Sequence, residues 1–160
     1  MLTKDNYRDL WFAEKAGEFV GFYTREYYCL DNFSAFGFVY EGRKYPTVEH
    51  AYQAYKFYET SPAVAEEIFG CLSAYDAQRI AHEHEAEMRP DWHEIKVALM
   101  EKLLRAKLAQ NPYVLKKLLQ TEDHLICEES PKDSFWGIGP DRTGRNELGK
   151  LWMKLRAELR

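Results

Sequence analysis

One short segment places three side chains that could do acid–base chemistry at helical spacing. Glu49, Gln53 and Lys56 fall at positions i, i+4 and i+7, so a helix would present a carboxylate, an amide and an amine on one stripe, with Tyr52 beside them. Thr47 is a typical N-cap residue and predicts that the helix begins here. The neighbouring residues are aromatic or small, which favours a cleft. The alternative is that Glu49 stabilises the helix dipole and Lys56 is solvated.

Two lysines on a second predicted helix are the next candidates for binding a ligand. Lys96 and Lys107 lie eleven residues apart, so at about 100° per residue they point almost the same way, between two apolar stripes. Trp92 lies near the start of the same helix. Two amines in line beside an aromatic ring predict an anion site. The alternative is that each stem covers apolar surface while its amine reaches solvent.

The stretch from 128 to 146 breaks the helical periodicity and combines three glycines with Trp136. Long ordered loops of this kind are often functional. The glycines permit close approach of the backbone, and free N–H groups at the start of the following helix could hold an anion. The alternative is that Asp133 caps a turn and Trp136 packs on the core. The spacing is not that of a P-loop, and no strand precedes a GxGxxG pattern.

The cysteines and histidines predict neither a metal site nor a bound cofactor. Cys29, Cys71 and Cys127 are widely separated, and the five histidines form no HExxH or Cys/His set. We expect the thiols to pack in the core.

The elements that must position these side chains are mostly helical. Apolar residues recur at intervals of three and four and predict helices over 47–59, 62–70, 75–86, 91–110, 112–120 and 146–159, so that everything after residue 46 is predicted to be helix or loop. An extended segment is predicted at 18–24, and a hairpin at 36–40 and 43–45 around Glu41-Gly42. The fold class is therefore mainly α, a single compact helical domain over 1–160 with a small β-hairpin or sheet near the N-terminus. Residues 5–16 also have a helical pattern.

Composition narrows the functional classes. A chain of 160 residues with a net charge of -4 suits one domain and does not bind nucleic acid through a broad basic field, although a local basic pocket remains compatible with it. No apolar run approaches the ~20 residues that a membrane span requires, and no secretory signal pattern begins the chain. We expect a cytoplasmic protein that does not associate with membranes.

Several separated motifs occur in the order typical of one family. From residue 22 to about residue 159 the sequence resembles the NADAR (NAD and ADP-ribose) family, also called YbiA-like. Residues 1–20 lie outside the resemblance and are expected to form a helical extension. The motifs are Phe22-Tyr23, Asn32-Phe33, Tyr45-Pro-Thr-Val-Glu-His with Gln53 and Lys56-Phe57, Arg89-Pro-Asp-Trp92 with Lys96, Ala106-Lys107, Glu128, Asp133 with Trp136-Gly137, and Gly144 with Asn146, Leu148 and Gly149.

The resemblance implies a mainly α-helical fold and an N-glycosidase, a hydrolase that cleaves a C–N glycosidic bond at ribose. The implied substrate is a phosphoribosylamino-pyrimidine intermediate of riboflavin biosynthesis or ADP-ribose attached to guanine. Two alternatives remain: a glycohydrolase that removes ADP-ribose from guanine in DNA or RNA, and a non-catalytic module that binds ADP-ribose. The acidic composition favours a small-molecule substrate, and the presence of Glu49 and Lys56 disfavours the binding module.

The resemblance also assigns roles. It implies catalysis by Glu49, Lys56 and Asp133, and substrate contacts from Tyr23, Asn32, Phe33, Gln53, Trp92, Lys96, Lys107, Trp136, Gly137 and Asn146. We expect Glu49 to activate water or stabilise C1, and Lys56 to protonate the leaving base or to attack C1 of a ring-opened sugar as a Schiff base. Asp133 would bind ribose hydroxyls or act as the acid. The tryptophans would stack on the base and the two helical lysines would bind phosphate. One concave site is expected to hold Glu49, Lys56, Trp92, Lys107, Asp133 and Trp136.

Overall fold

A computed structural model describes residues 19–22 and 26–160. The helical pattern at 5–16, the outer parts of the extended segment at 18–24, and Tyr23 lie outside these residues. The described chain groups into two compact units. The central unit is Asn32–Pro112, and the terminal unit consists of the described residues up to Asp31 together with Tyr113–Arg160. A single domain over the whole chain stays a prediction.

The central unit begins with the predicted hairpin. In chain order, the strands of the described residues are β1 (Phe19–Gly21), β2 (Phe38–Tyr40), β3 (Arg43–Tyr45) and β4 (Leu125–Cys127), and the hairpin consists of β2 and β3. Strands β2 and β3 are antiparallel, with Phe38 opposite Tyr45. Glu41 and Gly42, which connect them, both have positive φ, at 48° and 78°. A two-residue turn of this kind matches the twist of the strands, and the prediction is confirmed.

Helix α1 (Val48–Ala54) begins where predicted, because the Thr47 side chain accepts a hydrogen bond from the N–H of His50. All of its residues are buried. The predicted end at residue 59 is wrong. Beyond Ala54 the chain makes tight turns, in which the N–H of Lys56 bonds to the carbonyl of Gln53 and that of Phe57 to Ala54. These turns bring Phe57 fully into the core, a tertiary contact that periodicity alone does not reveal.

Three more helices complete the central unit: α2 (Pro62–Gly70), α3 (Ala74–Glu83) and α4 (Trp92–Gln110), with a 3₁₀ turn at Glu85–Glu87. Helix α2 has the predicted bounds. Helix α3 ends earlier than the predicted residue 86, because the chain tightens into the 3₁₀ turn. The apolar sides of α1, α2 and α3 form one core cluster, which contains Ala54, Phe57, Val64, Ala65, Ile68, Ala77, Ile80 and Ala81.

The terminal unit contains β1, β4, a 3₁₀ turn at Tyr28–Leu30, and helices α5 (Pro112–Gln120) and α6 (Glu147–Glu158). Strand β4 corrects the expectation that nothing after residue 46 is extended. It pairs in parallel with β1, with Val20 opposite Ile126. A three-residue strand is too short to show a period of two, and its partner is far away in the sequence. Helix α6 packs closely on β4, since a Cβ at Gly149 would lie 2.1 Å from the carbonyl oxygen of Ile126.

The mainly α-helical fold class with little strand is confirmed. Among the described helices, none is both long and apolar enough to cross a bilayer. Cys29 and Cys127 are buried, as predicted for core thiols, whereas Cys71 is partly exposed.

Candidate functional site

The structure brings Glu49 and Gln53 together on α1. The side chains are 5% and 4% exposed, and Nε2 of Gln53 donates a 2.7 Å hydrogen bond to Oε1 of Glu49. The other end of the amide differs: Oε1 of Gln53 is buried and accepts no hydrogen bond from any residue that the structure describes. A buried acceptor without a partner costs stability. Folding alone therefore does not explain why an amide stands here.

Lys56 lies just beyond the end of α1, in the first of the tight turns. Its Nζ is 5.5 Å from the ring centre of Tyr52 and 5.6 Å from that of Trp92, within the range of cation–π attraction. These two rings contact each other edge to face at 4.9 Å. Trp92 is buried, so the amine lies beside two packed aromatic rings.

The electrostatics around this amine favour its neutral form. Burial lowers the pKa of Lys56 below its ordinary value. The carboxylates Glu49 and Glu85 raise that pKa and Lys96 lowers it, but burial is the largest effect. A lysine with a lowered pKa carries more free amine at a given pH than an ordinary lysine does, and free amine is the form that can attack carbon or accept a proton.

A pocket of about 460 Å³ in the central unit opens beside Gln53 and Lys56. Its volume suits a ligand of nucleotide size. The rest of its lining comes from α3, from the 3₁₀ turn after it and from the residue that follows this turn. These residues are Tyr75, Gln78, Arg79, Ala81, His82, Glu85 and Met88.

The polar lining residues of α3 are functional candidates that the sequence analysis missed. Tyr75, Gln78, Arg79 and His82 recur at helical spacing on the side of α3 away from the buried Ala77 and Ile80. Such a pattern resembles any solvated helix face. The signal that could have singled it out is Tyr75, a large aromatic side chain that remains 72% exposed on an otherwise polar face.

The segment from Asn32 to Ser34 is held against α1 and α4. The carbonyl oxygen of Asn32 accepts a hydrogen bond from the N–H of Glu49, and its side-chain amide contacts the sulfur of Met100. The ring of Phe33 meets Tyr75 edge to face at 4.9 Å, which joins Phe33 to the rim of the pocket. Oδ1 of Asn32 is also buried without a partner among the described residues.

Lys96 and Lys107 have different surroundings despite their common direction on α4. Lys96 lies close enough to Lys56 to lower its pKa. Lys107 is fully buried, with Nζ 2.9 Å from Oγ of Ser34. The alternative in which the Lys107 amine reaches solvent is therefore wrong. Neither lysine is among the residues that line the pocket, and their contact with phosphate stays a prediction.

In the terminal unit, Asp133 organises the loop before α6. Its Oδ1 accepts hydrogen bonds from the N–H groups of Phe135, at 2.8 Å, and Trp136, at 2.7 Å. Trp136 is buried, and its ring packs edge to face on Phe135. These contacts correspond to the alternative in which Asp133 caps a turn and Trp136 packs on the core. Catalysis by Asp133 and stacking by Trp136 stay predictions.

Gly137 and Asn146 fix the same loop to its surroundings. A Cβ at Gly137 would lie 2.7 Å from the carbonyl oxygen of Glu128, so only glycine fits. Asn146 is fully buried in the left-handed conformation with φ 51°. Its amide donates to the carbonyl of Ile126 and accepts from the N–H of Glu128. These bonds satisfy both the donor and the acceptor of the Asn146 side chain and explain why an amide is buried here. Contact of Asn146 with substrate stays a prediction.

The expectation of free N–H groups at the start of α6 is wrong. The N–H groups of residues 145 to 148 all donate to carbonyls of the loop, those of Ser134, Gly137, Phe135 and Trp136. The loop itself therefore satisfies the N–H groups of residues 145 to 148, which an anion at this helix start would need. Among the described residues, no three His, Cys, Asp or Glu side chains form a group that could hold a metal ion.

Comparison with known proteins shows which family the chain belongs to. The NADAR domain profile matches residues 18–160. The chain is 35% identical to an N-glycosidase of Nostoc punctiforme, over 84% of this chain and 86% of that one. It is 38% identical to a riboflavin biosynthesis protein of Vibrio vulnificus, over 81% of this chain, but spans only 35% of that longer protein.

A solved structure is also similar. The NMR structure of the Escherichia coli protein YbiA matches with a TM-score of 0.80 and 34% identity, covering 88% of this chain and 84% of that one. The curated YbiA sequence is named an N-glycosidase. The predicted enzyme class is confirmed by these relatives. By its profile match and by the identity and coverage of these relatives, the chain belongs to the NADAR domain family.

Proposed function

We propose that this N-glycosidase cleaves the bond between ribose C1 and the amino nitrogen of a small phosphoribosylated pyrimidine, the reaction being centred on Glu49 and Lys56. The observation that carries the proposal is the half-buried amine of Lys56, whose pKa is lowered, at the wall of a nucleotide-sized pocket beside the buried Glu49–Gln53 pair. A cytoplasmic location and a free metabolite as substrate belong to the same proposal. The relative of Vibrio vulnificus named for riboflavin biosynthesis supports a substrate of this class.

In the route through Lys56, cleavage takes place in three steps. Opening of the ribose ring leaves C1 doubly bonded to the nitrogen of the aminopyrimidine, with the proton on the ring oxygen. The free amine of Lys56 adds to C1 and the aminopyrimidine leaves with a proton, so that a Schiff base joins Nζ to C1. Water then adds to C1, and the aldehyde sugar leaves as the amine is restored.

Glu49 fits the proton transfers of this route. Its carboxylate is buried and accepts from Gln53, which fixes one oxygen, and its negative charge would stabilise the cationic Schiff base. In the rival route no covalent bond forms, and Glu49 removes a proton from water as that water attacks C1. Both routes give the same products, the free aminopyrimidine and ribose 5-phosphate.

Two measurements test the proposal. The enzyme is incubated with a phosphoribosylamino-pyrimidine and, separately, with an oligonucleotide carrying ADP-ribosylated guanine, and released products are separated by chromatography. We expect release of aminopyrimidine at the higher kcat/KM. Faster release of ADP-ribose from the oligonucleotide would overturn the choice of substrate. No release of product from either substrate would overturn the proposed reaction.

Borohydride distinguishes the two routes. Added during turnover, it reduces a Schiff base and leaves the sugar covalently on the protein. The Schiff-base route predicts a mass increase on the peptide that contains Lys56, and none in Lys56→Met. An active enzyme that gives no adduct would establish attack by water. Lys102→Met, which removes an exposed lysine of α4, should give the same adduct as the unaltered protein.

A further inference from the structure

The α3 side of the pocket carries an arginine and a histidine for which the proposed chemistry at C1 has no use. Arg79 and His82 both line the pocket, three residues apart on one face of the helix. They bring guanidinium and imidazole N–H donors to a pocket whose one acidic lining residue is Glu85. Such donors at the wall of a cavity can bind an anion.

The present partners of these side chains leave them available. Arg79 pairs with Glu83 at 2.9 Å and with Asp76 at 3.6 Å, and its side chain is 58% exposed. His82 lies 3.8 Å from a carboxylate oxygen of Glu85 and is 84% exposed. Exposed ion pairs of this kind are weak. The planar guanidinium has five donors, so Arg79 can bind a second anion without leaving the first.

A phosphorylated sugar whose C1 lies at Lys56 could place its phosphate at this face of α3, because both line the same pocket. The reacting carbon must lie at the Lys56 amine, and the phosphate must extend from the other end of the ribose. Lys56 and α3 line the same pocket of about 460 Å³, which leaves room for a sugar between them. Arg79 and His82 are the basic residues on the α3 side of that space.

We propose that Arg79 and His82 bind the 5′-phosphate of the ribosyl substrate and thereby select phosphorylated over unphosphorylated ribosides. This inference rests on the proposed function, since it takes the ribose as the group between the two walls. The ligand chemistry is a phosphate on the 5′ oxygen of ribose, which a phosphomonoester and a diphosphate share. His82 contributes less than Arg79, because an imidazole offers at most two N–H donors to a phosphate and the planar guanidinium offers five.

Binding of ribose 5-phosphate, ribose and ADP-ribose is measured by calorimetry or by NMR titration near neutral pH. We expect Arg79→Gln to weaken binding of ribose 5-phosphate roughly tenfold, as for the loss of a charged hydrogen bond, and to leave ribose unaffected. His82→Gln should weaken it by a smaller factor, and His82→Arg should strengthen it. The matched control is Arg105→Gln, because Arg105 forms the same kind of i, i+4 pair with Glu101 on α4 but does not line the pocket.

The outcomes separate this inference from the proposed function. Equal binding of ribose 5-phosphate by the Arg79→Gln and Arg105→Gln variants would overturn the phosphate site even in an enzyme that cleaves the pyrimidine substrate. Arg79-dependent binding without cleavage would support the phosphate site and overturn the proposed substrate. If Arg79→Gln weakens binding of ADP-ribose but not of ribose 5-phosphate, the site binds a diphosphate, and the assignment to a phosphomonoester is wrong.

Discussion

Two buried carboxamides, Gln53 in the central unit and Asn146 in the terminal unit, show opposite uses of the same chemical group. Both ends of the Asn146 amide bond to backbone around β4. Gln53 uses its N–H₂ on Glu49, and its oxygen has no partner among the described residues. A saturated buried amide holds the backbone in place, whereas an unsatisfied one lowers stability and is available to a ligand.

The acidic residues of the two regions differ in the same way. Asp133 accepts from two backbone N–H groups of its own turn. Glu49 instead accepts from a side chain, close to an amine whose pKa burial has lowered. The comparison teaches that bonding to the local backbone is typical of a scaffold residue. The residues proposed to react are instead buried polar side chains that bond to one another beside a pocket.

The largest expected effect is on Lys56. Lys56→Met should reduce kcat by roughly 10³-fold or more, because the nucleophile or proton carrier is lost. The free energy of unfolding should not fall, since the variant no longer buries an amine. Activity and urea unfolding are measured together, with Lys102→Met as the control. Residual activity within tenfold of the unaltered protein would contradict the assignment of the site to the central unit.

The two amides are next compared by substitution. Asn146→Ala should lower the free energy of unfolding by about 2 kcal/mol or more, because a buried N–H and a buried carbonyl lose their partners. Activity of the folded protein should stay close to normal. Gln53→Leu should do the reverse, with a smaller change in stability and a loss of kcat/KM. If both variants lose activity alike while remaining folded, Asn146 has a role beyond the scaffold.

Asp133 offers a sharper test, because asparagine keeps the oxygen that accepts the two N–H bonds. If capping is the role of Asp133, Asp133→Asn should preserve most of the activity and stability, whereas Asp133→Ala should cost about 1 kcal/mol of stability. If Asp133 is the general acid, Asp133→Asn should lose roughly 10²-fold or more in kcat while its melting temperature is unchanged. Thermal melting and steady-state kinetics distinguish these outcomes.

The smallest expected effects are shifts of the pH profile. If the free amine of Lys56 reacts, kcat should rise with pH through the lowered pKa of Lys56. Lys96→Gln removes a positive charge that lowers this pKa, so the rising limb should move to higher pH. Glu85→Gln removes a negative charge that raises it, and should move the limb to lower pH. If both variants shift the profile in the same direction, the rise of kcat with pH reflects the titration of a group other than Lys56.

Prediction from the sequence succeeded where the signal is local. The cap at Thr47, the turn at Glu41-Gly42 and the bounds of α2 depend on residues that are neighbours in the chain. The pairing of Glu49 with Gln53 follows from helical spacing in the same way. Strand β4 was missed because its partner β1 is distant in the sequence, and the end of α1 because core packing of Phe57 ends the helix.

For the candidate site, the sequence by itself indicated the residue types proposed to react, the placement of Glu49 and Gln53 on one helix face and, through its motifs, the family. It did not reveal that the helix ends before Lys56. Only the tertiary structure decided which polar groups are left without partners. In the folded chain, loop carbonyls accept hydrogen bonds from the N–H groups of residues 145 to 148, and the Lys107 amine is buried against Ser34. One face of α3 lines the same pocket as Lys56. The physical reason is that satisfaction of a hydrogen bond, desolvation of a charge and the shape of a cavity depend on groups brought together from distant parts of the chain, and no spacing rule contains them.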